Sequence, residues 1–357
     1  MSWLWRHKVW GVLIAIMVGL SVAGARLATH SPTLAAPGQG DERLVHLLSQ
    51  EFDTPNRHRL VAALVGPTGT QTATFGADPF TTFPVASLTK TFTAALFAES
   101  IRRGEVGPRT RVGSLLPLGI AAVASTTLEE LATYRSGLGE WGDDQRDTGI
   151  RRWWVESVRG SSIHNASLDE VLERAQHDQL STRGQFGYSN IGFALLGHAL
   201  AQAAGTDFPT LMRARLLEPL GMLSTALTPA SGGPGPHGFS RAGQLAAPWP
   251  IGAYGPSGGA MSTLRDMTVY LRALLGNKLL RTAMAPQTVR GAPTGTGYGW
   301  MIDTTRTGHP VAFKSGNIGG FASALIVDVE GGRAVVVLSD TANEVIAAAW
   351  HLLEPAR

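Results

Sequence analysis

The sequence predicts an α+β fold: an antiparallel sheet flanked by helices, with a mainly helical segment inserted between its halves. Three observations predict it. β-rich runs stand near both ends of the chain, helix-period apolar patterns fill the middle, and the late strands are joined by glycine-containing turns, as an antiparallel meander requires. With 357 residues, 44% of them hydrophobic and 16% charged, the chain can bury a substantial core.

The first element is not part of that core. Arg6 and Lys8 precede an apolar run from Val9 to Ala25 that ends in Ala23-Gly24-Ala25, the small-x-small pattern a signal peptidase cuts. The same run sits at the lower limit for a bilayer-spanning anchor, which leaves inner-membrane association through residues 9–25 open. Either outcome places the body outside the cytoplasm, in the periplasm or otherwise exported. The chain has no cysteine, so disulfides do not support it. Without residues 1–25 the formal charge falls from +3 to +1, and no basic run is interleaved with aromatics, so nucleic acid is not an expected partner.

Residues 26–41 (RLATHSPTLAAPGQGD) read as a linker. RLVAALVGPTGTQTATFG, 59–76, reads as two strands around a Pro-Thr-Gly turn. In FPVASLTKTFTAALFAES, 83–100, Leu88, Phe92, Ala95 and Leu96 recur near the helical period, with Gly104 as a stop. TLEELATYRSGL (127–138) and SNIGFALLGHALAQAAG (189–205) are the clearest helices of the middle, and STLRDMTVYLRALLG (262–276) is another. VAFKSG, FASALIVDV and RAVVVLSD form the late meander, and 341–353 reads as a closing helix. The expected division is 42–105 with 226–357 as the sheet domain and 106–225 as the inserted helical domain.

Ser87 and Lys90 stand three residues apart, so on a helix the amine can reach the hydroxyl. A serine is a weak nucleophile until a base takes its proton. Lysine serves as that base only where burial or a neighbouring cation lowers its pKa. The same two residues also fit the polar start of an ordinary helix. The chain's usage sharpens the choice: it has 26 arginines and only Lys8, Lys90, Lys278 and Lys314. Arginine cannot release its proton, so a lysine in this chain marks a place where arginine does not serve. Tyr188 and Asn190 precede a helix. Beside two ammonium groups the phenol could ionise and shuttle protons, and Asn190 can both donate to and accept from an amide, although Ser189 or Asn190 could equally be a helix cap. Lys314, on a strand ahead of Ser315 and Gly316, can bind a carboxylate and lower the pKa values of Lys90 and Tyr188. Gly316 lets another backbone approach closely.

Ser-x-x-Lys, then Tyr-x-Asn, then Lys-Ser-Gly on a late strand resembles the serine penicillin-recognising superfamily, from about residue 42 to the C-terminus. TTLEELATYRSGL, LLEPLGM, GPSGGAMSTLRDM and GYGWM resemble stretches of its class C branch. SLTK, ATYRSGL and KSGNIGGF are closest to periplasmic penicillin-binding carboxypeptidase/endopeptidases. The resemblance implies a β-lactamase/transpeptidase-like fold and no cofactor or metal. It implies Ser87 as the acylated nucleophile, Lys90 and Tyr188 sharing acid–base work, and Asn190 on the substrate amide. Lys314 and Ser315 would hold a carboxylate, with the backbone N–H groups of Ser87 and Asn317 as oxyanion hole. Asn317 departs from the small residue frequent there, and its side chain would narrow the cleft. Ala86 in place of a usual glycine reads as harmless. The implied substrates are D-Ala-D-Ala peptidoglycan peptides and β-lactams, with a class C-like β-lactamase or a carboxyl esterase as alternatives.

Two other readings compete. GPSGG, 255–259, fits the G-x-S-x-G nucleophile elbow, with His309 and His351 as downstream histidines, but no convincing strand precedes it. A binding protein on an inactive hydrolase scaffold would keep the fold without the reaction. The ten histidines are scattered, with no H-E-x-x-H. Residues 139–180 are expected to form part of the cleft wall. The oligomeric state has no signal.

Overall fold

Strands buried on both faces read as near-continuous apolar runs rather than alternating ones. FASALIVD is such a run, and every residue of it is buried. The computed structural model describes residues 34, 38–52, 57–142, 164–227, 236–246 and 250–354. β1 (Gln39–Gly40), β2 (Leu60–Gly66) and β3 (Gly69–Phe75) come from its start. β4 (Thr82–Pro84), β5 (Ala226–Leu227) and β6 (Ala260–Thr263) make a small sheet in the order β4-β6-β5. β7 (Gly295–Thr296), β8 (Met301–Thr304), β9 (Pro310–Ile318), β10 (Phe321–Asp328) and β11 (Arg333–Ser339) complete the large sheet. Its order is β1-β3-β2-β11-β10-β9-β8-β7, antiparallel throughout. Strands from the two ends of the chain therefore meet in one sheet, the α+β arrangement expected.

Alternation sorts the sheet's side chains into two cores. On one face, Ala322, Ala324, Ile326, Val335 and Val337 meet α1 (Glu42–Glu51) through Leu44 and Leu48, and the C-terminal helix Ile346–Leu353 through Ala349 and Leu352. On the other, Phe321, Leu325, Val336 and Leu338 join the larger core around α2 (Thr89–Arg102) and α3 (Leu128–Ala132). α4 (Leu168–His177), α5 (Asn190–Ala203) and α7 (Leu264–Gly276) contribute to it, α6 (Gly255–Gly258) packs against α2 and α5, and the C-terminal helix is α8. α2 is buried from Thr89 to Ala98 and so carries little amphipathic pattern, as expected of a helix covered all round.

Several boundaries differ from the sequence reading. The helix expected over 83–100 splits: β4 ends at Pro84, a 3-10 turn covers Ala86–Leu88, and α2 begins at Thr89. The helix expected over 127–138 stops at Ala132, because Tyr134 adopts a left-handed φ of 59°. β6 takes the first residues of the 262–276 stretch. α8 starts at Ile346, after a loop rather than at 341. The linker expected through Asp41 ends earlier: Gln39–Gly40 pair with β3, and Asp41 caps α1 by accepting from the Leu44 N–H. α1 itself was not foreseen. Residues 1–33, with the expected signal or anchor segment and most of the linker, lie outside the described residues, as do 143–163 of the expected wall. Among the described residues no helix is long and apolar enough to cross a membrane.

If α1 is integral to the sheet's back face, Leu48→Ala, at a side chain with no exposure, lowers unfolding free energy by about 2–5 kcal/mol. Denaturant unfolding checks it. A loss under about 1 kcal/mol would mark α1 as peripheral.

Candidate active site

The site forms where a tight turn meets the free end of β9. The turn Ala86–Leu88 is held by its neighbours on every side. The Thr89 hydroxyl donates to the Ala86 carbonyl (2.7 Å) and accepts from the Ala260 N–H (3.0 Å). Ser323 on β10 donates to the Val85 carbonyl (2.8 Å). Ala86 pays for the geometry with a φ of 47°, a left-handed conformation that costs a non-glycine residue about 1–2 kcal/mol. The alanine expected to be harmless is therefore strained.

Ser87 Oγ lies 2.7 Å from Tyr188 Oη and 3.2 Å from Lys90 Nζ. Lys90 has no exposed surface, and its two shortest contacts are to pure acceptors, Asn190 Oδ1 at 2.6 Å and the Ser257 carbonyl at 2.7 Å. The Asn190 orientation is fixed from its other end, where Nδ2 donates to Glu140 Oε1 (3.3 Å). Burial, reinforced by Lys314 and opposed by Glu140, holds the Lys90 amine well below the ordinary lysine range. A neutral amine has two N–H bonds and one lone pair. With both N–H bonds directed at Asn190 and Ser257, the lone pair is left for the Ser87 hydroxyl. This is the geometry of a general base.

Lys314 is 4% exposed, donates to Tyr134 Oη (3.1 Å) and lies 4.5 Å from the centre of the Tyr188 ring. Burial lowers its pKa to about 7. Tyr188 corrects an expectation. Burial pushes its phenol above the usual range, with the Ser87 hydrogen bond opposing and Glu140 adding to the rise. The two lysines do not ionise it, so it is a proton donor at rest.

The hairpin joining β9 to β10 sets the other wall. Gly319 and Gly320, at φ 51° and 83°, form a two-residue turn of the primed type, so Ile318 and Phe321 close it as a hydrogen-bonded pair. Alternation then makes Asn317 and Ala322 a non-hydrogen-bonded pair, and the Asn317 N–H points away from β10. β8 pairs with Pro310 to Phe313 of β9 and no further, which leaves the Asn317 N–H toward the cleft beside Ser87. The close approach needs Gly316: a Cβ there would stand 2.7 Å from the Ser87 nitrogen and 2.9 Å from the Ala86 Cβ. Ser315 and Asn317 are exposed and line the same cleft, of about 570 Å³, with Ser87, Tyr188, Asn190 and Lys314. The Asn317 side chain donates to the Ala342 carbonyl (2.7 Å), which ties it to the rim.

All eight residues singled out in the sequence thus line this cleft or, for Lys90, lie directly beneath it. Three participants were missed. Tyr134 bridges Lys314 to the Gly299 carbonyl, Glu140 orients Asn190, and Ser257 contributes its carbonyl. The G-x-S-x-G stretch thereby finds its use. Ser257 is buried on the short helix α6, its hydroxyl donates to the Tyr254 carbonyl, and no strand leads into it. His309 pairs with Asp328 and His351 with Glu51. Among the described residues no group of three or more His, Asp or Glu could hold a metal ion.

A two-faced antiparallel sheet with a serine, two lysines and a tyrosine converging beside the free end of one inner strand defines the serine penicillin-recognising class. The family model for beta-lactamase matches residues 25–354, and the chain belongs to that family of serine hydrolases. It is 26% identical over 282 residues to D-alanyl-D-alanine-carboxypeptidase/endopeptidase AmpH of Escherichia coli strain K12, covering 71% of this chain and 70% of that protein. A human protein described as beta-lactamase-like 1 is 28% identical over 323 residues, which cover 79% of this chain and only 61% of the human protein. Among solved structures, a beta-lactamase/D-alanine carboxypeptidase from Pseudomonas syringae superposes with a TM-score of 0.72 at 16% identity, covering 88% of this chain and 98% of that one. A class C beta-lactamase from Rhodobacter sphaeroides gives 0.69 at 19% identity, covering 84% and 93%.

Gly316→Ala is expected to fold and to lose roughly 100-fold in acylation rate, the loss typical of one displaced oxyanion donor. Stopped-flow or gel-based labelling with a β-lactam measures it, and a rate within about threefold of wild type would mean the strand does not need to pass so close.

Proposed function

We propose that the protein is an exported serine hydrolase that acts through an acyl-enzyme at Ser87 on D-Ala-D-Ala-type peptidoglycan peptides, as carboxypeptidase or endopeptidase, and that β-lactams acylate it. The carrying observation is the Lys90 amine, fully buried, 3.2 Å from Ser87 Oγ and held between Asn190 Oδ1 and the Ser257 carbonyl; with its pKa lowered by burial, a neutral amine there turns its lone pair to the Ser87 hydroxyl. The likeness to a relative named as a carboxypeptidase/endopeptidase supports the substrate, and the apolar run of residues 9–25 supports export.

In this mechanism Lys314 and Ser315 hold the substrate's terminal carboxylate, and the second Nδ2–H of Asn190 binds the acyl-side amide. Ser87 Oγ attacks the scissile carbonyl as its proton passes to Lys90. The carbonyl oxygen becomes an oxyanion facing the Ser87 and Asn317 N–H groups. Collapse breaks the C–N bond, and the protonated Tyr188 phenol gives its proton to the departing amine, then recovers one from Lys90 through the freed site. Water, deprotonated by the neutral Lys90 amine, then cleaves the ester, and the Ser87 oxygen leaves with a proton returned from Lys90. A class C-like β-lactamase is the second reading, because the same neutral amine stays beside the ester and can activate the clearing water. Carboxyl-ester hydrolysis follows the same two steps.

A fluorescent penicillin should label the wild type and not Ser87→Ala; absence of wild-type labelling would leave an inactive binding scaffold as the better description. A penicilloyl adduct lasting minutes favours the peptidase, and rapid cephalosporin turnover favours the lactamase. Lys90→Arg should abolish acylation with the fold retained, since arginine stays protonated.

The pH profile has a definite sign. The rate needs neutral Lys90, whose pKa is lowered, so kcat/KM rises with pH on the acid side. It also needs cationic Lys314, which loses its proton as pH rises through about 7, so kcat/KM falls above neutrality. Lys314→Arg keeps the charge and should move the descending limb upward; an unmoved limb would assign it to another group.

A further inference from the structure

Behind the cleft lies a buried cation that takes no part in the reaction. Arg57, just ahead of β2, is 3% exposed. Its Nη1 donates to Ser339 Oγ (3.1 Å) and to the Asn343 carbonyl (3.2 Å), and its Nη2 donates to the Glu344 carbonyl (3.1 Å). The Phe52 ring centre lies 4.2 Å from the guanidinium carbon. All three acceptors belong to the end of β11 and the loop that follows it. A planar guanidinium can reach acceptors in several directions at once, which a lysine's single nitrogen does less well.

That loop reaches the cleft by two routes. Glu344 and Val345 line the cleft directly. The Ala342 carbonyl accepts from the Asn317 side chain, on the strand whose N–H faces Ser87. A second set of bonds fixes the start of the loop. The Asp340 carboxylate accepts from the His58 and Arg59 N–H groups (3.2 and 2.9 Å), and its carbonyl accepts from the Phe239 N–H. Arg57 holds the middle and Asp340 the beginning, so the loop is anchored to the residues entering β2, and Asn317 is anchored to the loop.

We propose that Arg57 is a positioning residue for acylation: by fixing the Asn343 and Glu344 carbonyls it sets the 341–345 loop, and through Ala342 and Asn317 it sets the direction of the oxyanion N–H toward Ser87. The inference rests on the reading of Ser87 as nucleophile and Asn317 as oxyanion donor. Arg57 touches neither substrate nor reacting atom in this scheme. Its effect is on rate, not on carboxylate binding, which belongs to Lys314.

The test uses the full chain and counts only folded molecules, with two variants in case one fails to fold. Arg57→Met removes the donors, and Arg57→Lys keeps the charge and one donor centre. The readouts are turnover of a small chromogenic ester at Ser87 and substrate-free hydrogen exchange across 341–345, where the Ala342 N–H is bonded to the Phe239 carbonyl. The expected result is an acylation rate about tenfold lower in Arg57→Met with KM within about twofold, partial recovery in Arg57→Lys, and faster exchange concentrated in the 341–345 loop. The loss should not add to that of Asn317→Ala, because both act through one contact. A lower melting temperature with unchanged rate per folded molecule, unchanged exchange, or fully additive losses would overturn the proposal. Exchange is read without substrate, so the result does not depend on which acyl donor the enzyme accepts. Penicillin labelling of the wild type judges the peptidase reading separately.

Discussion

Everything at the site depends on placing one lysine amine where water cannot reach it. Lys90 sits near the start of a helix that is covered on all sides, and desolvation alone disfavours its charged form. The second cation, Lys314, adds to that pressure, and the two carbonyl acceptors decide which way the neutral amine faces. A lysine on the surface with the same spacing from a serine would be protonated at neutral pH and useless as a base. The lowered proton affinity of Lys90 is therefore a consequence of packing: α2 is buried by α5, α6 and the sheet, and that burial disfavours the charged amine.

The same logic explains the sheet. Ser87 and Lys90 come from one early segment, Tyr188 and Asn190 from another about a hundred positions later, and Lys314 from a late strand. Pairing of β11 with β2 brings the ends of the chain together, and the free end of β9 then runs past the serine turn. Glycine at 316 allows the approach, and the strain at Ala86 accompanies it. Neither feature stabilises the fold. Both are tolerated because the turn is bonded to β6 and β10 as well as to its own helix.

How much of this could be read in the sequence follows from which signals are local. The scarcity of lysine singled out Lys90 and Lys314, because a deprotonable cation cannot be replaced by arginine. The three short motifs gave their own residues, and the apolar run of β10 marked a strand covered on both faces. Tyr134, Glu140 and Ser257 were hidden because their roles are relational. Tyr134 matters through a left-handed backbone and a partner 180 positions away, and Ser257 acts through its carbonyl, which any residue type would supply. Tyr188 was misjudged for a related reason. Two nearby cations are visible in the sequence pattern, whereas the burial that outweighs them is visible only in the packed structure. α1 escaped notice because the strands that it covers lie elsewhere in the chain.

The back face of the large sheet carries one further consequence. α1 and α8 both pack there, against Ala324 and Val337, while Lys314 sits opposite Leu325 in register and so projects from the other face. The first and last helices among the described residues are thus neighbours on the side away from the reactive groups. A graft, bead or surface linked through either helix would hold the molecule by its spine and leave the cleft mouth turned outward, into the surrounding solution.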